Sequence, residues 1–276
     1  MGWFGIGRTK GRRRANNRSS GAAASGRRLV VGDIHGCAQT MRALLGDYLR
    51  VSAGDHLYVL GDLVSKGPDS RDVLRYLGEL ETAGVEIAVV RGNHEEAILR
   101  ARREGLAALQ TLLQKTNNDA LLTAGGDTDL EPAWLRIMEA SRYWIELPDA
   151  ILVHGGIDMN RADPFADGHA LVSLRTTTYN ARVAGNRPVI HGHTRRPLSA
   201  IIKSLVTDAP VIPLDNGAVG GSNRKPYKIS EYGNLCCLDL DSRTLHIQPN
   251  RDSDEDDSDT AAYSLSVHLA YRRPTG

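Results

Sequence analysis

Five short stretches of the chain set metal- or phosphate-binding side chains beside glycine. They are Gly32-Asp33-Ile34-His35-Gly36, Gly61-Asp62-Leu63-Val64, Gly92-Asn93-His94-Glu95, His154-Gly155-Gly156 and His191-Gly192-His193-Thr194. Carboxylate, imidazole and amide oxygen together make a mixed donor set that suits borderline divalent ions such as Mn, Fe and Zn. Glycine beside the donors lets the backbone turn sharply and lets a ligand approach closely. None of Cys37, Cys236 and Cys237 belongs to the set, which argues against a structural zinc site. Taken singly, Asp33, Asp62 and Asn93 also read as helix caps, and His154 reads as a satisfied core histidine. Asp33 and His35 are harder to explain that way, because two donors two residues apart in a glycine-flanked turn have chelating spacing.

The elements that position these residues show in the runs before them. Leu29–Val31, Leu57–Leu60, Glu86–Val90, Ala150–Val153 and Val189–Ile190 are short apolar segments ending in Gly, Asp or His, the pattern of buried strands. Ala38–Arg50 and Asp69–Ala83 carry apolar residues at helical spacing. Asp33, Asp62 and Asn93 are thus one βαβ length apart, and right-handed crossovers bring them to one sheet edge. Ligands of open α/β sheets bind at the carboxyl ends of strands, so the spacing alone nominates a site. Residues 95–145 read as a helical insert, with a break at Gly125–Gly126 and a helix over Pro132–Arg142; it either caps the site or simply packs. Farther on, Ala200–Asp208, Val211–Leu214, Leu235–Leu240 and Thr244–Ile247 have the content of antiparallel strands. Turns are expected at Gly220–Asn223 and Asp241–Ser242. The picture is a two-sheet core with helices outside, α-β-β-α.

Composition bounds the rest. A 41% hydrophobic content fills a core, and a formal net charge of +1 gives no push toward nucleic acid or membrane. Residues 1–28 hold Arg8, Lys10, Arg12, Arg13, Arg14, Arg18, Arg27 and Arg28 without an acid, and read as a disordered basic tail. Residues 250–276, with Asp252, Asp254, Glu255, Asp256, Asp257 and Asp259, read as an acidic and mostly flexible tail. One domain over 29–249 lies between them. No apolar run is long enough to span a bilayer. Three cysteines that fit no disulfide framework point to a reducing compartment and a cytoplasmic location.

The ordered set GDIHG, GDLV, GNHE, HGG, HGHT resembles the calcineurin-like metallophosphoesterases, and among them the bacterial PPP-type serine/threonine protein phosphatases. The likeness spans residues 29–220, and five motifs in order are highly specific. It implies an α/β fold, an α-β-β-α sandwich of two mixed sheets flanked by helices. It also implies two divalent metal ions, Mn first, with Fe, Zn or Ni as alternatives. Asp33 and His35 would hold one ion, and Asn93, His154 and His193 the other, with Asp62 bridging. A hydroxide shared by the ions would attack phosphorus in line. His94 would protonate, or hydrogen-bond to, the leaving oxygen. Arg175 resembles a phosphate-clamping Arg, and Asn93 would also touch substrate phosphate. His191 lies outside the implied ligand set.

The second motif departs from that pattern. Protein phosphatases of this type usually read GDxVDRG, whereas here Ser65 replaces the Asp that orients the proton-donating His. Lys66 replaces the phosphate-binding Arg, a point charge where a planar fork is usual. The stretch GDLVSKGPDS looks more like the diadenosine tetraphosphatases and ApaH-like phosphatases, whose anhydride substrates carry better leaving groups. Three readings follow. The first is a phosphomonoesterase of the protein phosphatase type, acting on a phosphorylated protein or a small phosphate ester. Close behind is a pyrophosphohydrolase of dinucleoside polyphosphates or polyphosphate. Last is a scaffold that keeps the fold without activity, against which the complete ligand set argues.

Overall fold

Leu29, Val30 and Val31 show how the chain makes its layers. Alternate residues of a strand face opposite sides of a sheet. Leu29 and Val31 therefore enter one apolar core with the helices, while Val30 enters a second core between two sheets. The computed structural model describes residues 26–123, 129–220, 230–252 and 265–268. The break at Gly125–Gly126, the turn at Gly221–Asn223, residues 1–25 and most of the acidic run lie outside the described residues.

Strands β1 (Arg28–Val31), β2 (His56–Val59) and β3 (Glu86–Val89) are parallel. Their sheet continues from β1 through β8 (Asn234–Asp239), β9 (Thr244–Pro249) and β10 (Leu265–His268), all antiparallel to their neighbours. The second sheet runs β4 (Trp144–Glu146), β5 (Ile151–Val153), β6 (Val189–His191) and β7 (Val211–Pro213), with β4 antiparallel and the others parallel. Val30, Leu60, Val90, Leu152, Ile190, Leu214 and Cys236 fill the space between the sheets. Outside the first sheet lie α1 (Ala38–Arg42, continued by a π-turn), α2 (Ser70–Thr82), α3 (Asn93–Glu104), α4 (Leu106–Lys115) and α5 (Pro132–Ala140). Outside the second, Ile151, Val153 and Val189 pack on Leu171 of α6 (Gly168–Ser173) and Ala184 of α7 (Ala181–Ala184). This is an α-β-β-α sandwich of two mixed sheets.

Several expectations change. Residues 200–208 form no strand: α8 (Leu198–Val206) is a helix that buries Leu198, Ile201 and Leu205, spaced three and four apart, against the inter-sheet core. That face outweighs the β-branched content of Ile201, Ile202 and Val206. Strand β7 is consequently parallel to β6, because the intervening helix acts as a crossover. The insert packs more than it caps: Ile98, Leu99, Leu109, Leu113, Leu121, Leu130 and Met138 share the core of β1 and β2. Cys236 and Cys237 are buried on opposite faces of β8 as core residues.

Both expected tails also contain anchored residues. Asp252 accepts from the Gln39 and Thr40 N–H groups at 2.9 Å each, capping α1, and β10 pairs with β9. Arg27 binds Asp55 at 2.6 Å. Arg28 reaches Asp149 after β4 and Asp241 after β8, each at 2.7 Å, so one guanidinium ties the two sheets at the edge where β1 begins. Among the described residues, no helix is long and apolar enough to cross a membrane.

Arg28→Met should lower the Tm by about 2–4 °C, read by calorimetry. The Arg28 hydrogen bond holds the Asp149 carboxyl below its ordinary pKa. Its stabilisation is therefore present above the unfolded-state value and is lost as pH falls. The Tm difference between Arg28→Met and the parent should shrink below about pH 4.

Candidate metal centre

The carboxyl ends of β1, β2, β5 and β6 converge on one edge, and the loops leaving them bring together the residues the sequence nominated. Asp33, His35, Asp62 and His154 are buried there. Two donor clusters form, His35–Asp62–His94 and Asp62–His154–His193, each with its ligand atoms within 4.8 Å of one another. Asp62 belongs to both. Its Oδ2 lies 3.3 Å from His35 Nε2 and its Oδ1 lies 3.4 Å from His154 Nε2. Asp33 Oδ2 is 4.0 Å from His35 Nε2, and Asn93 Oδ1 is 3.1 Å from His154 Nε2.

Backbone partners aim these donors inward. His154 Nδ1 sits 2.8 Å from the Leu60 carbonyl and His35 Nδ1 sits 3.2 Å from that of Val64. With Nδ1–H donating outward, each Nε2 presents a lone pair to the centre. Asp33 accepts the His193 N–H at 3.0 Å, linking the first sheet's loop to the second sheet's. Glycines leave the room: a Cβ on Gly92 would fall 2.2 Å from Asp62 Oδ1, and one on Gly192 would fall 2.0 Å from Asp33 Oδ1. Asn93 is the first residue of α3 and turns its side chain to His154, so it is not the cap.

Gly92 is the N-cap of α3, and its N–H is taken by Glu95, three residues into the motif. Its buried carboxylate accepts N–H bonds from Asp62 (2.9 Å), Gly92 (3.0 Å), Leu63 (2.8 Å) and Val64 (3.4 Å). The signal was present in sequence, since Glu at the third position of a helix favours a capping box. Burial and the Asp62 charge push the Glu95 carboxyl up to about 7, against the pull of those N–H donors.

The electrostatics suit cations. Burial pushes the imidazoles of His35 and His193 down to about 4, leaving them neutral ligands at pH 7. Burial also works against the Asp62 charge, but His154, His35 and His94 outweigh it and hold that carboxyl at about 2. Burial raises Asp33, and the carboxylates of Asp215 and Asp62 raise it further. Asp215 is a third buried carboxylate, near enough for its charge to raise Asp33, and burial raises it as well. Like charges crowded in low dielectric favour a cation close by, and the carboxylate, imidazole and amide donors here suit divalent ions.

At the mouth, Lys66 is exposed and sets Nζ 2.8 Å from His35 Nε2. The His94 ring, 21% exposed, packs edge-on to His35 with centroids 5.0 Å apart. Arg175 is exposed and near enough for its charge to help depress His193. His191 is buried, its ring bonds the neighbouring Gly192 carbonyl, and it belongs to neither cluster.

Sandwich and polar centre together define the class, an α-β-β-α fold whose buried donor clusters lie where the two sheets meet. Residues 26–203 match the family of calcineurin-like phosphoesterases, and the chain belongs to that family. It is 36% identical over 128 residues to a symmetrical bis(5′-nucleosyl)-tetraphosphatase of Photorhabdus laumondii subsp. laumondii, covering 46% of this chain and 43% of the relative. A protein of the same name from Shewanella sediminis is 33% identical over 158 residues, covering 54% and 52%. The chain spans about half the length of these relatives. In fold it is similar to a candidate diadenosine tetraphosphatase (TM-score 0.55, 21% identity, covering 90% of this chain and 96% of that one). It is also similar to a cold-active protein-tyrosine phosphatase of a Shewanella species (TM-score 0.52, 18% identity, covering 83% and 79%).

Glu95→Gln would turn an amide NH₂ toward N–H donors that now have a carboxylate. We expect it to cost about 2–3 kcal/mol and to lower the number of bound metals per chain. Thermal melts and elemental analysis after reloading check this; full metal content with unchanged Tm would contradict it.

Proposed function

We propose that the chain is a dinuclear metal-dependent pyrophosphohydrolase acting on bis(5′-nucleosyl) polyphosphates. The observation that carries this reading is the poor support of His94. Its ring makes no hydrogen bond to a described residue, and the carboxylate oxygen within reach, on Asp62, is 3.9 Å away. Ser65, where a protein phosphatase would carry the orienting Asp, is instead hydrogen-bonded to Asn118. A weakly oriented acid serves an anhydride better than an ester. The leaving group of an anhydride is a phosphate, which ionises near pH ~6, whereas a serine or threonine oxygen must take a proton as it leaves. The names of the relatives support the same substrate class. The protein phosphatase reading, first on sequence alone, becomes the alternative.

In this reading Asp33 and His35 would hold one cation, Asn93, His154 and His193 the other, and Asp62 would serve both, with Mn the expected metal. When bound, the pair supplies Lewis-acid polarisation of the phosphoryl group and a more acidic water. Lys66 and Arg175 hold the non-reacting phosphate oxygens, and Asn93 lies beside the reacting one. Water adds to phosphorus, the bridging P–O bond breaks, and its electron pair leaves on the departing nucleotide. His94 hydrogen-bonds to that oxygen.

Protein stripped of metal and reloaded with manganese should cleave diadenosine tetraphosphate with a higher kcat/KM than a phosphothreonine peptide, measured by nucleotide chromatography and by phosphate release. A faster peptide reaction would restore the phosphatase reading. Asp62→Asn should lower turnover by orders of magnitude while the protein stays folded. His94→Ala should cost about 10²-fold on an alkyl phosphate but under about tenfold on the dinucleotide. Equal losses on both would remove the leaving-group role.

A further inference from the structure

Ser65 (φ 72°) and Lys66 (φ 71°) are consecutive left-handed residues, and neither is glycine. Backbone of that kind persists only where its surroundings hold it. The hold comes from Asn118, far along the chain and 1% exposed, just beyond α4 in the helical insert. Asn118 Nδ2 donates to Ser65 Oγ at 2.7 Å, and Asn118 Oδ1 accepts the Ser70 hydroxyl proton at 2.6 Å. Ser70 Oγ accepts the Ser65 N–H at 2.9 Å, which closes a ring of three side chains around one peptide. Thr116 fixes the amide from behind, its Oγ1 accepting from Nδ2 at 2.9 Å. On the other side Gly67 N–H donates to the His35 carbonyl at 2.8 Å, and a Cβ at Gly67 would fall 2.1 Å from that oxygen. Between these anchors Lys66 sets its ammonium 2.8 Å from His35 Nε2.

We infer that Asn118 is a positioning residue for the substrate phosphate: through Ser65 and Ser70 it clamps the 65–67 loop so that Lys66 stays over the metal centre. The inference rests on the reading of Lys66 as a phosphate contact. It makes the insert part of substrate binding, although Leu109 and Leu113 of α4 and Met138 of α5 pack into the core of the first sheet.

The test uses the metal-loaded full chain as wild type, Asn118→Ala, Ser65→Ala, Lys66→Ala and the Asn118→Ala/Lys66→Ala double variant. Kinetics on diadenosine tetraphosphate are paired with amide hydrogen exchange over residues 63–70. Asn118→Ala and Ser65→Ala should each raise KM about tenfold, as Lys66→Ala does, with kcat little changed. The double variant should bind no worse than Lys66→Ala, and exchange at 65–67 should accelerate while β1 and β2 stay protected. Multiplied losses in the double variant would overturn the proposal. So would a lowered Tm with KM and local exchange unchanged. If Lys66→Ala leaves KM unaltered, the phosphate-contact reading fails by itself. Exchange at 65–67 then decides the clamp alone: acceleration in Asn118→Ala keeps it, and unchanged exchange overturns it. Should Asn118→Ala not fold, Ser65→Ala carries the same comparison.

Discussion

The site depends first on a buried carboxylate that touches no substrate. Glu95 gathers amide protons from the loop after β2 and from the start of α3, so one side chain fastens two strand ends together. Asp62 has φ 48° and follows Gly61 at φ 94°, a turn that needs external support. Glu95 provides it, and in doing so fixes Asp62, Asn93 and His94 relative to each other. A carboxylate is suited to this because it accepts several N–H bonds at once, while the α3 amino end favours negative charge. The cost is a buried acid beside Asp62, acceptable because its oxygens are fully used.

Around that anchor the chain builds a concentration of negative and neutral donors with little room to spare. Gly92 and Gly192 occupy equivalent places beside Asp62 and Asp33, where any Cβ would displace a carboxylate oxygen. The His193 N–H bond to Asp33 joins the two sheets directly over the centre. At the far end of β1, Arg28 joins them again through Asp149 and Asp241. The sandwich is thus pinned at both ends of one strand, with the apolar layer of Val30, Leu152 and Ile190 between the pins. Rigidity there matters because donor sets bind well only when held to within fractions of an ångström.

Chemistry and packing meet in the second loop. Replacing an acid by Ser65 removes a partner for His94, and it also gives the helical insert a neutral hydroxyl to grip. Ser65, Ser70 and Asn118 together hold the backbone that carries Lys66. A cation on a flexible stem gains most from such placement, since its charge lacks the directionality of a guanidinium fork.

The sequence alone determined the strand–glycine–donor recurrence, and with it Asp33, His35, Asp62, Asn93, His94, His154 and His193 as a set. Strand alternation and βαβ spacing are local rules, so β1, β2, β3, β5, β6 and α2 were legible. The helix α8 was not, because its β-branched residues look like strand until a buried face selects every third or fourth one. Nor was the ordered part of the acidic tail, since Asp252 finds its partners at Gln39 and Thr40, distant in sequence. Tertiary structure alone decided that Asp62 belongs to both donor clusters, that Asp215 lies near Asp33, and that Asn118 reaches Ser65. Those relations join residues tens to hundreds of positions apart, and only packing of the two sheets and the insert sets their distances. A motif names the donor atoms, whereas the folded core fixes how far apart they stand.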